Sequence, residues 1–242
     1  MKLDILGVPF DNITSKKALE KLLEFLKTDK NHLLITPNPE IVMEAQNDKE
    51  LMKILNEADL VVPDGIGVVL ASKLEKNSIK ERVPGCDLMF ALFNTMKDSN
   101  KTVYILGGAP GVAEKAKLNM ERKYENIKII GTHHGYFAEH EEEKIIREIQ
   151  QLKPDLLMVG LGCPRQEKWI YTNKNRLPVK ISAAIGGTID IMAGTTKRAP
   201  RMFQVMGLEW FHRLLEQPKR IFRMKKLPLF LIAVLKDKYK KN

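Results

Sequence analysis

The sequence predicts an α/β fold built on a largely parallel sheet, with a helical extension at its C-terminal end. Short, almost wholly apolar runs alternate with longer amphipathic stretches, as expected of strands buried on both faces and joined by crossover helices. Polar, glycine-rich turns follow those runs repeatedly, and ligands of open α/β sheets bind beyond the carboxyl ends of the strands. Near Ala193-Gly194-Thr195 the composition changes to a basic, aromatic-rich helical pattern.

Residues 16–27 carry the first helical period. His32-Leu33-Leu34-Ile35-Thr36 is the first strand candidate, and residues 40–57 read as one amphipathic helix. Leu60-Val61-Val62, Thr102-Val103-Tyr104-Ile105-Leu106 and Ile127-Lys128-Ile129-Ile130 follow as strands, with a helix over 112–124 between the last two. A helix over 141–152, the strand Leu156-Leu157-Met158-Val159, a helix over 166–175 and the strand Lys180-Ile181-Ser182-Ala183-Ala184-Ile185 complete the alternation. The expected arrangement is Rossmann-like: a catalytic domain over residues 1–194 and an appendage over 195–242. Pro218 and Pro228 divide that appendage into three segments, because proline cannot continue a helix.

The chain has 242 residues, of which 44% are hydrophobic and 29% charged, a globular balance. Its first residues lack the charged-then-apolar pattern of a signal peptide. The longest apolar run, 227–235, contains Pro228 and is too short to span a bilayer. Cys86 and Cys163 form no disulfide framework, so a cytoplasmic protein with reduced thiols is expected. The net charge is +10, and residues 195–242 hold all of it, with 13 basic residues against Glu209, Glu216 and Asp237. A neutral body with a basic tail suits a polyanionic partner. Leucines and phenylalanines interleave with the basic residues. That favours an anionic membrane surface over nucleic acid as the partner.

Five turns fall on one predicted rim: 36–40, 63–67, 106–111, 159–167 and 185–190. Gly107-Gly108-Ala109-Pro110-Gly111 would offer backbone N–H groups and a helix N-terminus to a phosphate, or is simply a tight strand-to-helix turn. The spacing is not a dinucleotide fingerprint, and no Walker A motif occurs. Asp64, between an apolar strand and Gly65, reads locally as a cap for the next helix or as a general base; Asp190 has the same two readings. No Asp-x-Asp pair and no zinc-ligand spacing occurs, so no metal and no cofactor is expected. Tyr136 is placed to stack on a base or sugar. Arg213, Arg220 and Arg223 share one helical face if that helix survives Pro218.

Several stretches together resemble the bacterial WecG/TagA/CpsF glycosyltransferases: Thr36-x-Asn38-x-Glu40, Pro63-Asp64-Gly65-Ile66-Gly67, Arg82-Val83-Pro84-Gly85-Cys86-Asp87, Leu106-Gly107-Gly108, His134-Gly135-Tyr136-Phe137, Val159-Gly160-Leu161-Gly162-x-Pro164-x-Gln166-Glu167-x-Trp169, and Arg198-Ala199-Pro200 leading to Leu208-Glu209-Trp210. The resemblance implies an inverting, metal-independent transfer of N-acetylmannosamine from a UDP donor to undecaprenyl-diphosphate-linked N-acetylglucosamine. That step belongs to wall teichoic acid synthesis and takes place at the inner face of the cell membrane. It makes Asp64 the base, with Arg82 and Gln166 beside it at the reacting centre, and it places Thr36 and Asn38 in the substrate pocket. Gly107, Gly108, Ala109, Tyr136, Gly186, Gly187 and Asp190 are expected to bind substrate, with the departing UDP set against the helix N-terminus at Gly108 and one or more arginines. Arg213, Arg220 and Arg223 carry over by pattern, as ligands of a diphosphate. Another UDP-sugar donor and a nucleic-acid-binding protein are the alternatives. Self-association is left open.

Overall fold

The computed structural model describes residues 1–74, 78–216 and 226–241. It opens with an element the apolar runs do not announce. β1 (Lys2–Ile5) and β2 (Val8–Asp11) form an antiparallel hairpin around Leu6 and Gly7, both at positive φ. Leu3, Ile5, Val8 and Phe10 alternate inward and are buried, the period-two pattern of a half-buried ribbon.

The main sheet has six parallel strands: β3 (His32–Ile35), β4 (Leu60–Val61), β5 (Thr102–Gly107), β6 (Lys128–His133), β7 (Leu156–Gly160) and β8 (Ile181–Ala184), in the order β4-β3-β8-β7-β5-β6. The predicted parallel α/β class is what forms. Alternate residues feed opposite faces, so Leu33, Ile35, Leu157 and Val159 join one core cluster and Leu34, Leu156 and Met158 join the other. α2 (Pro39–Ala45), α3 (Lys49–Glu57), α4 (Ile66–Ser72), α7 (Glu139–Leu152) and α8 (Arg165–Asn173) cover the first face together with the hairpin. α1 (Ser15–Phe25), α5 (Gly85–Met96), α6 (Val112–Lys123) and α9 (Thr188–Ala193) cover the second. Apart from α4, which opens the β4-to-β5 connection on the first face, the chain moves one way along the sheet with helices on the first face and the other way with helices on the second, as right-handed crossovers require.

Two helical expectations need correction. Residues 40–57 are not one helix: the chain breaks at Gln46–Asp48, and Asp48 caps α3 by accepting from Leu51 N–H at 3.0 Å. The apolar period continues through the break, which hid it. Pro228 does not interrupt the tail either. It lies in the first turn of α12 (Lys226–Lys241), where no intrahelical N–H partner is needed. Pro218, Arg220 and Arg223 lie outside the described residues.

The tail is tied to the body. α10 (Arg201–Val205) and α11 (Glu209–Glu216) follow α9, and α12 packs on α2 and α4. Phe230 and Val234 of α12 are buried in the first core cluster. No helix among the described residues is long and apolar enough to cross a membrane.

Candidate active site

Because all six strands are parallel, their carboxyl ends share one rim. Along it stand Asp64, Thr36, Gly186, Gly160, Gly107 and His133, in the order of β4, β3, β8, β7, β5 and β6. Four of these loops meet backbone to backbone. Gly108 N–H donates to the Gly160 carbonyl at 3.2 Å, and Gly135 N–H donates to the Gly108 carbonyl at 2.8 Å. A Cβ on Gly107 would sit 2.5 Å from the Gly160 carbonyl oxygen, and one on Gly160 would sit 2.8 Å from that of Gly186. Side chains are therefore excluded, and the rim has a bare backbone floor. It lies where the connections from β5 and β7 run in opposite directions, the switch point at which such sheets bind ligands. Ala109 and Tyr136 are exposed beside it, Tyr136 at 75%. The Gly108 amide, expected to be available for a phosphate, is already engaged with Gly160.

At the other end the chain folds tightly around Asp64. Gly65, at φ +116°, is the N-cap of α4, so Asp64 does not cap the helix that follows it. Its Oδ2 instead accepts from Gly85 N–H at 3.2 Å, across the rim at the first turn of α5. Gly85 has no room for a side chain, since a Cβ would lie 2.9 Å from Thr36 Cγ2. Asn38 caps α2 by accepting from Ile41 N–H at 3.0 Å, and a Cβ on Gly67 would meet Pro39 Cγ at 2.7 Å. Thr36, Asn38 and Asp64 are therefore brought together.

Gln166 stands between the two ends. Its Nε2 donates to Glu167 Oε1 at 2.8 Å, and its amide faces Gly186. Both side chains are buried. Gln166 Oε1 and Glu167 Oε2 meet no hydrogen-bond partner of good geometry among the described residues. Burial raises the Glu167 pKa, and the Gln166 amide and Cys163 thiol offset that only in part. Gly187 is the N-cap of α9, and Asp190 lies in its first turn, with its carbonyl accepting from Thr195 and Thr196 N–H at 3.0 and 3.2 Å.

The tail closes the Asp64 end through residues that local sequence reading did not single out. Arg82 Nη2 donates to Glu209 Oε1 at 2.7 Å and to the Gln204 carbonyl at 3.3 Å, so Arg82 grips α10 and α11. Arg198 pairs with Asp87 in the first turn of α5. Gly207 rests on Ile66, two residues past Asp64. The signals for these ties were the motif from Arg82 to Asp87, whose Arg82 was expected at the reacting centre, and the run of motifs from Arg198 to Trp210. Arg213 lies on α11, but the structure does not describe its side chain, and no group of three or more His, Cys, Asp or Glu able to hold a metal occurs among the described residues.

The opposite edge of the sheet has a different character. A cavity of about 530 Å³ there is lined by His32, Asp59, Lys174 and neighbours. Asp59 and Asp155 clip the strand starts together: Asp59 accepts from Leu33 N–H at 2.8 Å, and Asp155 accepts from Thr102 N–H at 3.0 Å. Burial pushes both carboxyls up, but those amides and the adjoining lysines hold them below the usual carboxylate range. This edge carries stabilising charge and lies at the amino ends of the strands, away from the rim.

Comparison with known proteins gives a consistent match. The family model described as the glycosyl transferase WecG/TagA/CpsF family covers residues 3–242. A protein of Staphylococcus aureus strain MRSA252 is 37% identical over 99% of this chain and 94% of its own length; it is named N-acetylglucosaminyldiphosphoundecaprenol N-acetyl-beta-D-mannosaminyltransferase. A protein of the same name from strain MW2 is 36% identical over the same shares.

Proposed function

The chain belongs to the WecG/TagA/CpsF family of glycosyl transferases, and from that premise we propose that it transfers N-acetylmannosamine from a UDP donor to undecaprenyl-diphosphate-linked N-acetylglucosamine. The observation that carries the reading is the placement of Asp64. Its carboxylate is oriented by an amide at the rim, among Thr36 and Asn38, at the point where the tail closes over the body.

Asp64 takes the proton from the acceptor hydroxyl as that oxygen attacks the anomeric carbon, and UDP departs from the opposite face of the sugar, inverting it. Strand spacing sets the direction in which the donor lies. From β4 to β5 there are four intervals, roughly 19 Å at about 4.8 Å each. The β-phosphate is bonded to the anomeric oxygen and must lie close to Asp64. We therefore read the Gly107-Gly108-Ala109 turn as too far away to hold the β-phosphate of the departing UDP. It suits the nucleoside, which lies on the backbone floor with Tyr136 free to stack against it. Gly186, Gly187 and Gln166 lie under the middle of the donor. The diphosphate is neutralised by arginines without a metal ion, a reading supported by the lack of an Asp-x-Asp pair in the sequence.

Membrane docking at the inner face is supported by what the tail leaves uncovered. Met202, Val205, Phe211, Leu215, Leu229 and Ile232 are 40–80% exposed, and lysines follow them in α12. Apolar side chains beside basic ones suit the headgroup boundary of an anionic membrane.

The test is turnover of UDP-N-acetylmannosamine and other UDP-sugars on a short-chain lipid-diphosphate N-acetylglucosamine, with and without EDTA. Asp64→Asn keeps an oxygen to accept the Gly85 N–H but cannot serve as base. It is expected to fold, bind UDP and turn over about 10²–10⁴-fold more slowly. Near-normal turnover would remove Asp64 from the base role. Preference for a different UDP-sugar would revise the donor, and loss of activity in EDTA restored by Mg²⁺ would overturn the metal-free reading.

A further inference from the structure

Arg198 stands in a position that its one ion pair does not explain. The Asp87 carboxylate engages Nη1, while Nε and Nη2 are shut off from water and have no acceptor among the described residues. A guanidinium cannot discharge to escape this, since it stays protonated in proteins. Nε and Nη2 are the two parallel donors of one edge of the fork, spaced to take two oxygens of a single anionic group. Arg198 is half-buried as a residue, but a cation whose covered edge is unmet is costly to keep, which argues for an anion that meets it.

The surroundings identify the anion. Asp87 lies in the same helical turn as Gly85, whose N–H holds Asp64. Arg82, another guanidinium in that corner, is occupied by Glu209 and the Gln204 carbonyl. Resting on the reading of Asp64 as the base, we propose that the Nε–Nη2 edge of Arg198 binds a diphosphate at the reacting centre: that of the departing UDP, with its β-phosphate on the fork, or that of the lipid-linked acceptor. The sequence marks Arg198 only as part of a motif. Its role emerges because residues 87 and 198 are far apart in the chain and meet where the tail returns to α5.

The experiment compares wild type with Arg198→Ala, Arg198→Lys and Asp87→Asn, measuring UDP and UMP binding by calorimetry and KM for donor and acceptor separately. If Arg198 holds the donor's β-phosphate, Arg198→Ala and Arg198→Lys weaken UDP binding about 10- to 100-fold, the loss of two hydrogen bonds to a charged group. UMP binding then stays within about twofold, and Asp87→Asn is mild because the fork remains. A rise confined to the acceptor KM, with UDP binding unchanged, assigns the fork to the acceptor's diphosphate. The inference is overturned if Asp87→Asn reproduces Arg198→Ala in every readout, which would make the pair purely structural, or if neither affinity nor either KM moves. Failure of the wild-type enzyme to use any UDP-sugar would count instead against the underlying reading of function.

Discussion

Replacing Phe230 with alanine tests whether the tail is part of the folded body. Phe230 is fully buried, and its cluster includes Val42 of α2 and Val68 and Ala71 of α4. Truncating such a phenylalanine costs about 3–5 kcal/mol through lost transfer energy and the cavity left behind. For a chain of this size each kcal/mol moves the melting temperature by about 2–4 °C, so Phe230→Ala is expected to melt roughly 6–20 °C below wild type. Leu229, next to it on the same helix, is 53% exposed, so Leu229→Ala is the control. It is expected to stay within about 0.5 kcal/mol, or 2 °C. Scanning calorimetry on both variants reads the difference directly. A Phe230→Ala protein melting within 2 °C of wild type would refute the packing of α12 on α2 and α4. The same burial bears on truncation: cutting near residue 195 removes core side chains together with the basic charge.

Two further outcomes follow from particular side chains. Glu167 has a folded pKa raised above the ordinary 4.5 because burial disfavours its charge, so its contribution is complete below 4.5 and is lost as pH rises through the raised value; Glu167→Gln should flatten the fall of stability as pH rises above 4.5, and an unchanged slope in denaturant melts at several pH values would contradict this. Lys236→Glu with Lys238→Glu should weaken binding to anionic vesicles at least tenfold, at about 1 kcal/mol per basic residue near the surface, yet spare turnover on a water-soluble acceptor. Equal vesicle sedimentation of variant and wild type would remove the docking role from α12.

The six main strands were legible because each is a nearly continuous apolar run, and their parallel order follows from the helices between them. The hairpin was less visible because its alternation is short and Pro9 interrupts it. Asp64 could be placed on the rim from its strand, but not its partner: the Gly85 amide comes from another loop. The same holds for Arg82 with Glu209 and Arg198 with Asp87. Local periodicity shows which face a residue occupies, whereas these pairs depend on where the chain returns, 21 residues later for Gly85 and more than a hundred later for the two ion pairs. Gly108 illustrates the converse: a glycine-rich turn before a helix suggested an available amide, and the neighbouring strand had already taken it.

The position of β8 has a consequence for how the protein is made. It lies between β3 and β7, and His32 pairs with Ile181. At about 5–20 residues per second, a ribosome needs roughly 8–30 s to travel from one partner to the other. Over that interval β3 has β4 on one side and an open edge on the other, the kind of edge that recruits foreign strands. The two halves of the sheet must therefore wait as separate pieces and be joined by the last strand to emerge, which makes the step slow and open to error. The proposed reaction centre straddles that seam, so a nascent chain shorter than about β8 is expected to hold no donor.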